Sequence, residues 1–120
     1  MDAIMKVRSL KTCDTCRKAI KWLKEKGIEA TVLDIREIPP TFDEIAGYID
    51  AVGWEKLLNR KSTTWRQLSD NEKLELDENK AARLIASHPT LMKRPVSILE
   101  GQIVVGFDPA AREMLETLLR

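Results

Sequence analysis

The sequence predicts an α/β domain in which a mixed four-stranded sheet is interrupted by an inserted helical subdomain. Strand, helix and strand patterns alternate over residues 3–35, helical patterns alone occupy the middle of the chain, and two short strands with a final helix complete it. The length of 120 residues is that of one domain. A domain of this size can bury a core without disulfide bonds or a structural metal.

The first third of the chain is predicted to form a β-α-β unit. Apolar and charged residues alternate from Ala3 to Ser9, as in a strand with one buried face. An amphipathic helix is predicted from Asp14, and Gly27 stands where a helix commonly ends. A second strand follows over Ile28 to Ile35, which is rich in β-branched residues.

The middle of the chain is predicted to be an inserted helical subdomain over residues 39–88. Thr41 and Glu44 have the spacing of a capping box, and apolar residues at helical intervals follow them. Further helical patterns occur over residues 54–58, 64–68 and 77–87.

The last third is predicted to form a hairpin and a closing helix. Val96 to Leu99 and Gln102 to Val105 are strands joined by a two-residue turn in which Gly101 takes a positive φ. Asp108 and Pro109 are an N-cap and the first residue of a helix. Residues 1–38 and 89–120 then form the core, in the arrangement of a thioredoxin-like fold.

Composition excludes several classes of function. Twenty basic and nineteen acidic residues leave a net charge of +1, without the basic excess of a nucleic-acid binder. No apolar stretch has the length of a membrane span, and the N-terminus lacks the apolar core of a signal peptide. We therefore expect a cytoplasmic protein that binds neither membranes nor nucleic acid directly.

Cys13 and Cys16 are the first candidate site residues. Cys13 is predicted at the N-terminus of the first helix, where backbone N–H groups and nearby Lys11 and Arg17 favour a thiolate. Cys16 lies one helical turn further on, within reach as a resolving thiol. The alternative is that both are small buried apolar residues. A structural zinc site lacks ligands, because His88 is the single histidine.

Two arginines are candidates for binding an anion. Arg94 directly precedes Pro95 and the third predicted strand, and its guanidinium can donate paired hydrogen bonds to a carboxylate, phosphate or arsenate. Arg60 occupies a polar turn between two predicted helices. The alternative for both is an exposed surface residue, in the case of Arg60 one engaged in a salt bridge.

Five segments distributed over nearly the whole chain resemble the ArsC/Spx/YffB family. They are Thr12-Cys13-Asp14-Thr15-Cys16-Arg17-Lys18-Ala19, Leu57-Leu58-Asn59-Arg60, Thr64-Trp65-Arg66, His88-Pro89 and Lys93-Arg94-Pro95-Val96. The resemblance implies a thioredoxin fold with an inserted helical domain and a nucleophile at Cys13. It also implies that Arg60 and Arg94 bind an oxyanion or glutathione, and that the Arg94–Pro95 bond is cis.

The chain departs from glutaredoxin-linked arsenate reductases in two places. Those enzymes carry a third anion-binding arginine after the final hairpin, where this chain has Val104-Val105-Gly106-Phe107, and they have serine at the position of Cys16. The Cys-x-x-Cys pair resembles Spx regulators, which bind the RNA polymerase α subunit. The segment around Thr63-Thr64-Trp65-Arg66 resembles the YffB branch, whose members are thought to be glutathione-dependent thiol reductases.

We therefore expect a thiol-dependent oxidoreductase that is arsenate reductase-like or glutathione-dependent. Cys13 and Cys16 are its expected catalytic residues, and Arg17, Arg60, Arg94 and Pro95 its expected anion- and substrate-binding residues. No metal or bound cofactor is expected; glutathione with glutaredoxin, or thioredoxin, is the expected reductant, and the substrate is a small oxyanion or a thiol compound. The alternatives are an Spx-type redox-sensing regulator that binds the RNA polymerase α subunit, and a plain interaction module.

Overall fold

The computed structural model describes residues 4–120, and it contains the strands and helices that the sequence predicts. Ala3, at the start of the first predicted strand, lies outside the described residues. The strands are β1 (Met5–Ser9), β2 (Ala30–Asp34), β3 (Val96–Leu99) and β4 (Gln102–Val105). The helices are α1 (Asp14–Glu25), α2 (Phe42–Val52), α3 (Trp54–Leu57), α4 (Thr63–Gln67), α5 (Asp70–Lys73), α6 (Glu78–Ser87) and α7 (Pro109–Leu118), with a 3-10 helix at Pro89–Leu91.

The four strands form one mixed sheet in the order β2-β1-β3-β4, which confirms the predicted fold class. β1 is parallel to β2 and antiparallel to β3, and β3 is antiparallel to β4. In the β3–β4 turn, Glu100 and Gly101 have φ of 49° and 79°, so both turn residues, and not glycine alone, are left-handed. This is the turn geometry that matches the twist of a hairpin.

β2 begins two residues later than the sequence predicts because the end of α1 uses Ile28. Gly27 has a φ of 75°, and its N–H donates to the Lys24 carbonyl while the Ile28 N–H donates to the Leu23 carbonyl. This pair of bonds is the Schellman closure of a helix. Ile28 therefore belongs to the helix end and not to the strand.

The chain divides into two compact units, one made of residues up to Ile38 together with Arg94–Arg120, the other of Pro39–Lys93. The structure places residues 89–93, expected in the core, with the helical unit. The Asn59 N–H donates to the Leu91 carbonyl at 2.7 Å, and the Lys93 N–H donates to the Leu57 carbonyl at 2.8 Å. Backbone hydrogen bonds thus join this segment to the end of α3. That the chain is a single domain stays a prediction.

In the first unit, α1 and α7 share an apolar core with the sheet. Its buried members are Met5, Val7, Ala19, Leu23, Val104, Phe107, Ala111 and Leu115. The rings of Trp22 and Phe107 meet edge to face, with centroids 5.5 Å apart. α7 begins as predicted, since the Asp108 carboxylate accepts the Ala111 N–H at 2.8 Å. The core therefore anchors α1, whose first turn carries the cysteines.

The second unit is helical throughout, apart from one isolated bridge between Leu58 and Met92. α2 begins with the predicted capping box, in which Thr41 and Glu44 each accept the backbone N–H of the other. Among the described residues, no helix is long and apolar enough to cross a membrane.

Candidate active site

Cys13 is the N-cap residue of α1 and ends a tight turn after β1. Its backbone is extended, with φ of −94° and ψ of 116°, and its side chain makes no capping hydrogen bond. The Cys13 N–H donates to the Leu10 carbonyl at 2.9 Å, and its carbonyl accepts the Arg17 N–H at 3.1 Å. These bonds place the sulfur beside the first turn of α1, where backbone N–H groups have no partner within the helix.

The two cysteines are free thiols in different environments. Cys16 is only 1% exposed, whereas Cys13 is partly accessible. The backbone N–H and the thiol of Cys16 lie close enough to the Cys13 sulfur to favour its ionised form. One sulfur is therefore open to a reactant, and the other lies behind it within hydrogen-bonding reach.

The environment separates the pKa values of the two thiols. Burial works to raise the pKa of Cys13, but the nearby N–H and thiol of Cys16 and the positive charge of Arg94 together lower it below its usual range. Burial, aided by the neighbouring Cys13 and opposed by the backbone of Leu10, raises the pKa of Cys16 to about 12. Cys13 is therefore the more acidic of the two thiols, and Cys16 is the one that keeps its proton.

Arg94 is the cation that the fold brings to the Cys13 sulfur. The Arg94–Pro95 bond is cis, which confirms the expectation from the family resemblance. The carbonyl of Pro95 accepts the Gly106 N–H at 2.8 Å, so this segment is held by the loop that follows β4. The guanidinium of Arg94 lies close enough to the Cys13 sulfur to lower the pKa of that thiol.

Lys11 and Arg17, the two basic residues predicted to favour the thiolate, each form an ion pair with a nearby carboxylate. Arg17 pairs with Asp14 on the exposed side of α1, where its side chain is 62% accessible. Lys11 pairs with Glu37, which raises the pKa of the lysine. Much of their charge is therefore balanced locally and screened by water. The proposed contact of Arg17 with an anion stays a prediction.

Arg60 lies in the helical unit, in the turn between α3 and α4. It is exposed, and its guanidinium lies over the ring of Trp54, 5.3 Å from the centroid. The turn is ordered by Asn59, whose side chain accepts the Lys61 N–H at 3.1 Å and whose carbonyl accepts the Ser62 hydroxyl at 2.8 Å. The salt bridge considered as an alternative is replaced here by a cation–π contact.

Phe107 fills the stretch in which arsenate reductase-like enzymes carry a third arginine. It is 9% exposed, packs against Trp22, and has the guanidinium of Arg112 over its ring, 4.8 Å from the centroid. Phe107 therefore brings an apolar contact to the stretch where the family resemblance implies an anion-binding arginine in arsenate reductases.

Asp34 is a residue near the site that sequence reasoning missed. Its carboxylate accepts the Lys11 N–H at 3.0 Å and the Arg36 N–H at 2.8 Å. The only signal was an acidic residue at the end of the second strand, and the sequence does not say what that strand lies beside. Within residues 4–120, no group of three metal-binding side chains is found.

Comparison with known proteins agrees with this geometry. A family model described as the ArsC family matches residues 9–115. An uncharacterized protein of Haemophilus influenzae is 37% identical over 102 residues, which are 85% of this chain and 90% of that protein. A solved structure named YFFB superposes with a TM-score of 0.87 at 34% identity and covers 92% of this chain and 96% of its own.

Relatives with assigned names fall into two classes. The global transcriptional regulator Spx 2 of Bacillus anthracis is 31% identical over 112 residues, 91% of this chain and 85% of that protein. The arsenate reductase of Neisseria meningitidis is 31% identical over 98 residues, 78% of this chain and 82% of that protein. From its sequence and its structure alike, the chain belongs to the ArsC family.

Proposed function

We propose that the protein is a thiol-dependent oxidoreductase with Cys13 as its nucleophile. The observation that carries this proposal is the place of Cys13, a partly accessible thiol at the N-cap of α1 whose ionised form is favoured by Cys16 and by the Arg94 guanidinium. Surroundings that lower the pKa of an accessible sulfur stabilise a thiolate, which is the reactive form in disulfide exchange. A buried apolar thiol would have its pKa shifted in the opposite direction.

With a mixed glutathione disulfide as substrate, the reaction runs in two exchanges. The Cys13 thiolate attacks one sulfur, forms a new S–S bond and releases the other sulfur as a thiolate. Cys16 then gives up its proton and attacks the Cys13 sulfur, which forms the Cys13–Cys16 disulfide and releases the second thiol. Where Cys13 carries glutathione, an external glutathione can instead attack the glutathione sulfur, which forms glutathione disulfide and frees the Cys13 thiolate. Glutathione with glutaredoxin, or thioredoxin, supplies the two electrons that restore both cysteines.

Arg94 and Arg60 are proposed to bind the negative charge of the substrate, with Arg17 and Pro95 as further contacts. Guanidinium groups suit both the carboxylates of glutathione and an oxyanion such as arsenate. Phe107 favours the glutathione-linked substrate, because the position of a third anion-binding arginine is apolar and buried. Arsenate is kept as a test substrate since one relative is named an arsenate reductase.

An NADPH-coupled assay with the wild type and the variants Cys13→Ser and Cys16→Ser tests the proposal. Arsenate and a mixed glutathione disulfide are offered in parallel, with glutathione plus glutaredoxin or with thioredoxin as reductant. Loss of turnover in Cys13→Ser alone indicates an external resolving thiol, and loss in both variants indicates an internal disulfide. Turnover that persists in Cys13→Ser contradicts the proposal.

An Spx-type regulator is the second candidate. The Cys-x-x-Cys pair and the relative named Spx 2 favour it. In this case the Cys13–Cys16 disulfide controls binding to the RNA polymerase α subunit. Capture of purified α subunit that depends on the redox state, and that is lost in Cys13→Ser, supports regulation. Turnover without capture supports the enzyme.

A further inference from the structure

Asp34 lies beside the turn that carries Cys13. In the parallel pairing of β1 with β2, Asp34 is opposite Ser9, the last residue of β1 before the turn. Its side chain is 7% exposed, and its two carboxylate oxygens have different roles. One accepts the Arg36 N–H within its own segment, and the other accepts the Lys11 N–H across the strand pair.

The Lys11 N–H belongs to the same peptide group as the Leu10 carbonyl. That carbonyl accepts the Cys13 N–H at 2.9 Å, while the Lys11 N–H donates to Asp34 at 3.0 Å. Asp34 and Cys13 thus bind opposite ends of a single planar peptide group. The peptide group cannot rotate without breaking both bonds, and each bond polarises the other.

The bond to Lys11 is not needed to fold the segment that contains Asp34. The backbone carbonyl of Asp34 accepts the N–H groups of Glu37 and Ile38 at 3.1 and 2.8 Å, so the turn after β2 is also closed without the carboxylate. The strand pairing continues through the Ile35 N–H, which donates to the Ser9 carbonyl at 2.9 Å. None of these bonds fixes the Leu10–Lys11 peptide group.

We propose that Asp34 is a positioning residue for Cys13, which it orients through the Leu10–Lys11 peptide group. The proposal rests on the proposed function, in which Cys13 is the nucleophile. Without the carboxylate, the peptide group is free to turn, and the Cys13 sulfur loses its fixed place in front of the Cys16 N–H and Arg94. The thiolate is then less stabilised.

A positioning role and a purely electrostatic role for Asp34 predict opposite changes in the pKa of Cys13 when the carboxylate is removed. A carboxylate that acted only as a nearby negative charge would disfavour the thiolate, so removing it would lower the pKa of Cys13. A positioning carboxylate favours the thiolate indirectly, so removing it raises that pKa.

The test is the rate of Cys13 alkylation by iodoacetamide as a function of pH, measured on the reduced protein with thermal melting as a check on folding. We compare wild type, Asp34→Ala and Asp34→Asn with Glu37→Gln as the control. Glu37→Gln removes the exposed pair with Lys11 but leaves the Lys11 N–H bonded to Asp34. Asp34→Asn removes the charge and keeps one oxygen that can accept the Lys11 N–H.

We expect Asp34→Ala to move the midpoint of the profile upward and to slow alkylation below the wild-type midpoint by roughly two- to tenfold. Asp34→Asn should lie between Asp34→Ala and wild type. Glu37→Gln frees the charge of Lys11 but keeps the bond to Asp34, so it should not raise the midpoint. If Asp34→Ala does not fold, Asp34→Asn alone carries the test. A midpoint that is unchanged or lowered in the folded Asp34 variants overturns the positioning role alone, whereas an ordinary wild-type midpoint overturns the proposed function.

Discussion

Cys16 follows the N-cap residue Cys13 by one helical turn, and the pKa values of the two thiols are displaced in opposite directions. Two thiols that begin with the same chemistry are thus given different tasks by their surroundings. Cys16 is buried in the first turn of α1 and keeps its proton. Cys13, at the N-terminus of the helix, ionises more readily.

This pairing predicts the order of alkylation and its dependence on pH. Because the pKa of Cys13 is lowered, its reaction with iodoacetamide should rise to a plateau at a lower pH than that of an ordinary cysteine. Cys16, whose pKa is about 12, should remain unlabelled over the same range. Peptide mapping by mass spectrometry checks the order, and labelling of Cys16 first would contradict the assignment.

The effect of the Cys16 side chain on the pKa of Cys13 can be tested separately from the effect of the Cys16 backbone N–H. Cys16→Ala removes the side-chain donor, so the Cys13 alkylation profile should shift to higher pH. Cys16→Ser keeps a hydroxyl donor and should retain more of the wild-type profile. Identical profiles in the two variants would mean that the thiol donor does not contribute.

Arg94 is predicted to act on both the thiolate and the substrate. Arg94→Ala should raise the pKa of Cys13 and weaken anion binding by about 1 to 3 kcal/mol through the loss of a charged hydrogen bond. Arg94→Lys keeps the charge but loses the two-pronged geometry, so it should recover more of the thiolate than of the affinity. Alkylation profiles and calorimetric titration with glutathione measure the two effects, and unchanged affinity in Arg94→Ala would remove it from the site.

Arg60 is predicted to affect the substrate alone. Arg60→Ala should raise KM in the coupled assay and leave the Cys13 alkylation profile unchanged. Trp54→Leu is the matched control for the cation–π contact, since it removes the aromatic ring under the guanidinium but keeps the arginine. A wild-type KM in Arg60→Ala would show that Arg60 does not contact the substrate.

The packing of Phe107 predicts a large cost for removing its ring. Phe107→Ala should lower the free energy of unfolding by about 3 kcal/mol, because the ring is buried against Trp22 in the core beneath α1 and α7. Phe42→Ala, which makes the same change at a residue 41% exposed, should cost less than about 1 kcal/mol. Urea denaturation measures both, and equal losses would contradict the assignment of Phe107 to the core.

Elements with a local chemical signal could be predicted from the sequence. The spacing of Thr41 and Glu44 predicts a capping box, and Asp108 with Pro109 predicts the start of a helix. Gly101 indicates the turn of the hairpin. Cys13 at the end of a helix follows from the same kind of short-range pattern. In each case the partners are within a few residues of one another.

Features that depend on distant partners could not be predicted. Lys11 was expected to favour the thiolate. The pairing of β1 with β2 brings Glu37 near it, and the ion pair between them balances the charge of the lysine. The same pairing brings Asp34 to the Lys11 N–H, and residues 89–93 join the helical unit through bonds to Leu57 and Asn59. Such contacts follow from strand register and backbone pairing between remote segments, which no short window of sequence contains.

The split construction of the first unit has a consequence for synthesis on the ribosome. β1 and the Cys13 loop are made early, yet β3 and Arg94 follow only after the whole of Pro39–Lys93 has been translated. A nascent chain therefore holds both thiols before the guanidinium and the strand that complete their surroundings exist. The contiguous helical unit is translated first. The pKa of Cys13 reaches its full lowering only when the last quarter of the chain, which contains Arg94, has emerged.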